Sequence, residues 1–192
     1  MDIAEKIEKL KRIYEEFEEK VREFKKEAVC QKGCADCCKQ MATIDCTTLE
    51  AFVIYNKINA FADPLKSQTK KKLKKEIHKR TTKSHTTCPF LTKKDSCLIY
   101  EARPFSCRWV YSLKKCNGKS PTIHRVVFEE AKSTIRKIQQ LDNTGYSGHI
   151  TFILQLFEKE SFTEIYLTGG FNPQKLQKIL SLYHILPNLK KV

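Results

Sequence analysis

Seven cysteines in two blocks are the residues of this chain whose type and spacing most clearly imply chemistry. Four thiols fall within nine residues, and three more follow about fifty residues later; they are Cys30, Cys34, Cys37, Cys38, Cys88, Cys97 and Cys107. Thiolate sulfur is a preferred ligand of zinc and of iron–sulfur clusters. Because the two blocks lie far apart in sequence, a metal that binds both would also fix the tertiary structure. We therefore predict that these seven thiols bind metal.

The spacing of the cysteines excludes the simplest zinc folds and leaves the kind of metal centre open. A zinc ribbon carries two Cys-x-x-Cys turns, whereas this chain has one clear example, from Cys34 to Cys37. The adjacent side chains of Cys37 and Cys38 diverge on a helix or a strand, so they suit one tetrahedral ion poorly. A multinuclear cluster, or one ligand with one buried thiol, is easier to build. An iron–sulfur cluster held by four cysteines leaves three thiols over, and a two-zinc site with a bridging thiolate can use all seven.

Two arginines in the second block are candidates for cofactor binding. Arg103 and Arg108 can donate hydrogen bonds to thiolate sulfur, or hold an anionic substrate beside the metal. Alternatively, they cap the local backbone or pair with Glu101.

The remaining cysteines and the histidines carry weaker signals. We expect Cys46 to be a buried small residue and Cys116 to be an exposed thiol or an occasional ligand. Only His85, three residues before Cys88, has a spacing to a cysteine block that suits a ligand.

Composition and charge limit the other functional classes. The chain has 192 residues and a net charge of +14, and residues 62–83 hold nine Lys or Arg against two acidic residues. Nucleic-acid binding is disfavoured because no aromatic residues interleave with these lysines.

No signal peptide and no apolar segment long enough to cross a membrane is evident, so we expect a cytoplasmic location without membrane contact. Cytoplasmic thiols stay reduced, which favours metal binding over disulfides.

The N-terminal residues 1–28 are predicted to form one long amphipathic helix. Their apolar residues follow a 4-3 heptad spacing: Ile3, Ile7, Leu10, Tyr14, Phe17, Val21, Phe24 and Ala28. This seam either packs on the rest of the domain or pairs with a protein partner or a second copy of the chain.

The rest of the chain is predicted to form helices around a loop-rich cysteine region. Thr47 or Thr48 caps a helix that runs to about Ala60, and Asp63 caps another over about 64–80. Residues 108–113 either pair as a strand with 123–128 or precede a helix that runs from Ser120 to about residue 141. Further helices are expected near 147–158 and 173–185.

The predicted fold class is mainly α: a small helical domain organised around a Cys-ligated metal cluster in a loop-rich region, with flanking helices. We divide the chain into an amphipathic helix (1–28), a cysteine-cluster metal-binding domain (29–118) and a helical C-terminal part of the same domain (119–192).

The ordered motifs of the two blocks resemble the YkgJ-type cysteine-cluster family, the CxxCxxCC zinc- or iron-chelating domain. The matching elements are Cys30…Cys34-x-x-Cys37-Cys38, then Cys88-Pro-Phe-Leu, then Cys97-x-Ile-Tyr-Glu-x-Arg-Pro-x-x-Cys107-Arg. They span residues 30–108, and the three-residue gap between Cys30 and Cys34 departs from the family spacing. The resemblance implies a small, mostly helical domain with a cysteine-bound metal centre of zinc or of iron and sulfur.

Three functions remain open at this point. The first hypothesis is an iron–sulfur protein with a redox or cluster-dependent role. The alternatives are a zinc-stabilised binding module without catalytic activity and a basic nucleic-acid-binding protein. No catalytic residue can be assigned from the spacing of nucleophiles and bases, so the residues leave open whether the protein is an enzyme.

Overall fold

The computed structural model describes residues 1–31, 33–40, 43–82, 87–169 and 185–188, without the side chains of residues 81, 82 and 187. Within these ranges the helices are α1 (Ile3–Lys20), α2 (Arg22–Lys25), α3 (Asp36–Gln40), α4 (Thr48–Asn59), α5 (Leu65–Thr82), α6 (Phe105–Arg108), α7 (Arg125–Leu141), α8 (Ile150–Leu156) and α9 (Glu160–Leu167). The strands are β1 (Asp45–Thr47), β2 (Tyr146–His149) and β3 (Leu186–Pro187). The prediction of a mainly α fold is confirmed.

One small antiparallel sheet, in the order β1-β2-β3, lies among the helices. Cys46 of β1 pairs with Gly148 of β2, and Ser147 pairs with Leu186 of β3. The prediction of a helix over 147–158 is therefore wrong for its first residues, which extend β2. His149 then caps α8, because its side chain accepts a hydrogen bond from the Thr151 N–H at 3.3 Å.

The N-terminal helix predicted over 1–28 is interrupted. α1 ends at Lys20, Val21 leaves the helical conformation, and α2 adds one further turn. The apolar seam packs against α7 within the same chain: Leu10 and Phe17 share a core with Val127, Ala131 and Ile138. The seam thus follows the first of the two alternatives, packing on the rest of the domain.

Helix α4 begins at the predicted cap. The Thr47 hydroxyl accepts a hydrogen bond from the Glu50 N–H at 3.3 Å, and the Glu50 carboxylate accepts from the Thr47 N–H at 2.8 Å. This reciprocal capping box satisfies donors that the first helical turn would otherwise leave unpaired. Helix α5 likewise follows its predicted cap, with the Ser67 N–H donating to Asp63 at 3.3 Å.

Of the two alternatives for residues 108–141, a strand pair or a helix, the structure shows the helix. α7 occupies 125–141, and its N-cap is His124 rather than Ser120. Residues 108–113 are joined to the segment before α7 by a backbone hydrogen bond from the Leu113 N–H to the Thr122 carbonyl at 2.8 Å. The helix predicted over 173–185 and the candidate ligand His85 lie outside the described residues.

A second core, formed by α4, α8 and α9, carries the cysteine region on one side. Ile54, Ile153 and Phe162 belong to this core, and so do Phe90 and Ile99 from the second cysteine block. None of the described helices is long and apolar enough to span a membrane.

Candidate metal centre

Five of the seven predicted ligands lie close together, and we call them the inner thiol group: Cys37, Cys38, Cys88, Cys97 and Cys107. Cys37 and Cys38 lie on α3, Cys107 lies on α6, and Cys88 and Cys97 lie in the irregular segment between α5 and α6. The side chains of Cys37 and Cys38 shift each other's pKa, and the side chain of Cys88 also shifts that of Cys38. Cys38 and Cys97 act electrostatically on Cys107.

Backbone hydrogen bonds hold the segments of the inner thiol group together. The Cys88 N–H donates to the Cys38 carbonyl at 2.8 Å, which fixes the start of the second block on α3. Cys97 forms an isolated antiparallel bridge with Leu91, and the Leu98 N–H donates to the Phe90 carbonyl at 2.9 Å. This narrow loop brings Cys97 back towards Cys88.

The environment raises the pKa of four thiols of this group, Cys37, Cys38, Cys97 and Cys107, and so favours their neutral form. The hydrogen bond to Cys38 and then burial raise the pKa of Cys37. The hydrogen bond from Cys37 lowers the pKa of Cys38, but the bond to Cys88, burial and the neighbouring thiols together raise it to about 12. Burial is the main cause of the raised pKa of Cys97 and of Cys107. Metal binding here must therefore release protons.

Backbone donors offset part of these shifts. The backbone N–H of Ile99 lowers the pKa of Cys97, and that of Cys38 lowers the pKa of Cys37. Such donors lower the pKa of a thiol and stabilise a metal-bound thiolate.

Three further thiols form an outer thiol group, defined as Cys30, Cys34 and Cys116. The Ser112 N–H donates to the Cys30 sulfur at 3.3 Å, and the Val29 N–H donates to the Ser112 carbonyl at 2.9 Å. Burial raises the pKa of Cys30, and the charges of Cys34, Cys116 and Cys37 add to this shift. Cys30 and Cys34 therefore lie beside Cys37 but outside the inner thiol group.

The placement of Cys116 beside Cys30 could not be read from its spacing alone. The chain reverses direction immediately after it, with positive φ angles of 48° at Asn117 and 77° at Gly118. The Asn-Gly pair was the available signal for this turn, but it did not indicate where the turn would dock. Cys46, by contrast, is only 3% exposed in β1, as expected for a buried small residue.

The donor chemistry fits a metal centre, whereas the side chains do not yet surround one point. All the candidate ligands are sulfur, and all nine cysteines are free thiols. Among the described residues, no three His, Cys, Asp or Glu side chains are arranged to hold a metal ion.

The two predicted arginines have different surroundings. The charge of Arg103 lowers the pKa of Cys97 and opposes the rise at Cys107, so this guanidinium lies near the inner thiol group. It stacks on Tyr100 at 4.1 Å, and its Nε is buried without a hydrogen-bond partner. Arg108 instead caps the local backbone, as the alternative interpretation held. Its Nε donates to the Arg103 carbonyl at 3.0 Å, and its Nη2 donates to the Glu101 carbonyl at 2.8 Å.

A third cation, Lys25 on α2, was not singled out by the sequence. Burial lowers its pKa to about 8, and the charges of Arg103 and Arg108 add to the effect. Its ammonium lies 3.8 Å from the centre of the Tyr111 ring and pairs with Glu18. Lys25 therefore lies near the two arginines, and of these three cations Arg103 acts on the pKa of Cys97 and of Cys107.

The buried carboxylate of Glu50 positions the helix that carries Cys107. One of its oxygens accepts hydrogen bonds from the Phe105 N–H at 2.7 Å and from the Tyr14 hydroxyl at 2.8 Å. Its other oxygen accepts from the Thr47 N–H and hydroxyl. Glu50 therefore ties α6 to α1 and to the start of α4, a role that the capping pattern alone did not reveal.

Comparison with known families agrees with this site. Residues 29–144 match the family model CxxCxxCC, described as "Putative zinc- or iron-chelating domain". The match covers more than half of the chain and includes both cysteine blocks and Cys116. The protein therefore belongs to this family of metal-binding cysteine-cluster domains. No curated protein and no solved structure matches the chain.

Proposed function

We propose that the protein is an iron–sulfur protein whose inner thiol group holds the cluster and that serves a redox or cluster-dependent role. The observation that carries this proposal is that the adjacent thiols Cys37 and Cys38 both belong to one group with Cys88, Cys97 and Cys107. Two adjacent thiolates fit poorly on one tetrahedral ion, whereas a polynuclear centre offers them separate metal atoms. When bound, such a cluster supplies one-electron transfer.

In this proposal the chain's own residues tune and position the centre. Arg103 offsets the negative charge of the thiolates, and backbone N–H groups such as that of Ile99 stabilise the ligand sulfur. Arg108 holds the backbone between Cys97 and Cys107 through two carbonyls. A reducing compartment such as the cytoplasm would keep the free thiols available for the metal.

A zinc-stabilised binding module is the second candidate. The outer thiol group favours it, because Cys37 acts electrostatically on both Cys30 and Cys107 and could bridge two ions. A centre of two bridged zinc ions can use seven or more thiolates as ligands, whereas a four-cysteine cluster uses only four.

Metal and acid-labile sulfide analysis of protein purified without oxygen tests the proposal. We expect iron and sulfide in similar amounts, visible absorption, and an electron paramagnetic resonance signal after reduction with dithionite. Cys38→Ala and Cys107→Ala should lose this iron, whereas Cys46→Ala, which changes a buried thiol of β1, should keep it. Colourless protein with one or two zinc ions per chain would contradict the iron–sulfur proposal and establish the zinc module.

A further inference from the structure

Helix α5 presents a lysine-rich face that the metal centre does not use. Its 18 residues carry seven lysines and one arginine against a single acidic residue, Glu76. Glu76 is only 6% exposed and is paired with Arg80 at 3.0 Å, so it does not offset the outward-facing lysines. Within the described residues, no carboxylate lies within ion-pair distance of Lys71, Lys74 or Lys75.

This face continues into the loop of the second cysteine block. Lys72 donates a hydrogen bond to the Leu91 carbonyl at 2.9 Å, and Lys93 and Lys94 are exposed just beyond it. The carboxylate of Asp95 in the same loop is paired with Lys39 at 2.8 Å. The positive surface therefore extends from α5 to the loop between Cys88 and Cys97.

An apolar cleft of about 90 Å³ opens along one edge of the same helix. Its apolar wall includes Ile58 of α4, Leu73 and Ile77 of α5 and Leu154 of α8, and Lys70 and Lys74 stand at its rim. Lys70 is paired with Glu158 at 3.1 Å, and Lys74 faces solvent. The cleft can receive one aliphatic side chain of a partner whose neighbouring carboxylates would face the lysines.

We propose that α5 and this cleft form a docking surface for a protein partner that presents an acidic amphipathic helix. The lysines supply charge complementarity, which steers association and fixes orientation, and the cleft receives one aliphatic anchor of the partner. Lys71, Lys74, Lys75 and His78 share one helical face, so a single helix of the partner can contact them together. A nucleic acid fits less well, because phosphates do not fill an apolar cleft and this face of α5 carries no aromatic side chain for base stacking.

Fluorescence anisotropy with three labelled probes tests this surface on the full chain. The first probe is a helical peptide of leucine and glutamate with the leucines on one face; the second has the same composition with the leucines dispersed. The third is a 20-nucleotide single-stranded DNA. We expect the first probe to bind at least tenfold more tightly than the other two at physiological salt.

Charge reversal locates the binding. The double substitution Lys71→Glu with Lys75→Glu should weaken binding of the first probe about tenfold, which corresponds to about 1.4 kcal/mol. The control, Arg125→Glu with Arg136→Glu on α7, changes the net charge equally at exposed positions and should change affinity less than twofold. Circular dichroism would verify that both variants fold.

Each other outcome overturns the proposal. Equal binding of the two peptides would indicate a general attraction for negative charge, and tighter binding of the DNA would identify a nucleic-acid surface. Absence of peptide binding, or equal loss in the α7 control, would remove α5 as the docking site. None of these results depends on which metal the protein holds.

Discussion

Replacing Glu50 with glutamine tests whether the buried carboxylate holds the helix of Cys107 in place. Its two oxygens accept four hydrogen bonds, from the Tyr14 hydroxyl, the Phe105 N–H, and the N–H and hydroxyl of Thr47. The glutamine amide keeps one acceptor oxygen and has an NH2 group, which donates hydrogen bonds, in place of the other. The two donors that bonded to the replaced oxygen therefore lose their acceptor and face a donor instead. Glu50→Gln therefore removes at least two hydrogen bonds to a charged group.

The expected loss follows from these contacts. Hydrogen bonds to charged groups contribute about 1.5–3 kcal/mol each, so two of them give a loss of at least about 3 kcal/mol. For a chain of this size, about 1 kcal/mol lowers the melting temperature by roughly 2–4 °C, so we expect a fall of roughly 6–12 °C. Metal-free protein should show this fall in circular dichroism, and the metal-loaded variant should lose metal faster because Phe105 begins the helix of Cys107.

Two control variants separate the contributions. Glu19→Gln changes an exposed carboxylate that pairs with Arg22, and it should shift the melting temperature very little. Tyr14→Phe removes one donor and keeps its ring contact with Phe105, so it should cost less than Glu50→Gln. A melting temperature of Glu50→Gln within one or two degrees of the parent would refute the reasoning.

Further predictions concern a buried carboxylate, a tightly packed glycine and one of the two arginines. Burial raises the pKa of Asp142 from 3.8 to about 7; the folded state therefore keeps a proton that the unfolded chain loses across that interval. The free energy of unfolding should then fall as pH rises through this window, and Asp142→Asn should flatten the slope in urea titrations. Gly145→Ala places a Cβ 2.3 Å from the Asp142 carboxylate and should cost about 1–3 kcal/mol in thermal unfolding. Arg108→Lys cannot reproduce both backbone contacts and the stacking on Tyr14, so metal-loaded protein should release its metal faster to a chelator.

Local patterns predicted the helices well where the cap and the apolar spacing agreed. Thr47 with Glu50 is a capping box that can be read directly, and α4 starts there. The strand β2 was missed because Tyr146 to His149 is short and its pairing partners lie about a hundred residues earlier and forty later in the chain. Such pairing is a long-range contact without a periodic signal.

The same limit applies to the candidate site. Residue type and spacing were enough to propose the cysteines as metal ligands, but their division into inner and outer groups depends on where the loops pack. Cys116 comes beside Cys30 because residue 29 pairs with Ser112 across more than eighty positions. Arg103 and Arg108 looked equivalent in sequence, and only the fold shows that Arg108 is engaged with backbone carbonyls.

The thiols differ in how firmly the protein core positions them. Phe90 and Ile99 are 2% and 1% exposed, so the segments of Cys88 and Cys97 are anchored in the core, and Cys107 is held through Glu50. Helix α3 has no buried residue, and the Cys88 N–H bond to the Cys38 carbonyl links it to the core side. The three thiols of the second block are thus held more firmly by the core than Cys37 and Cys38 are. A metal bound by thiols of both groups would therefore tie α3 to the core, which is how metal binding would stabilise the fold.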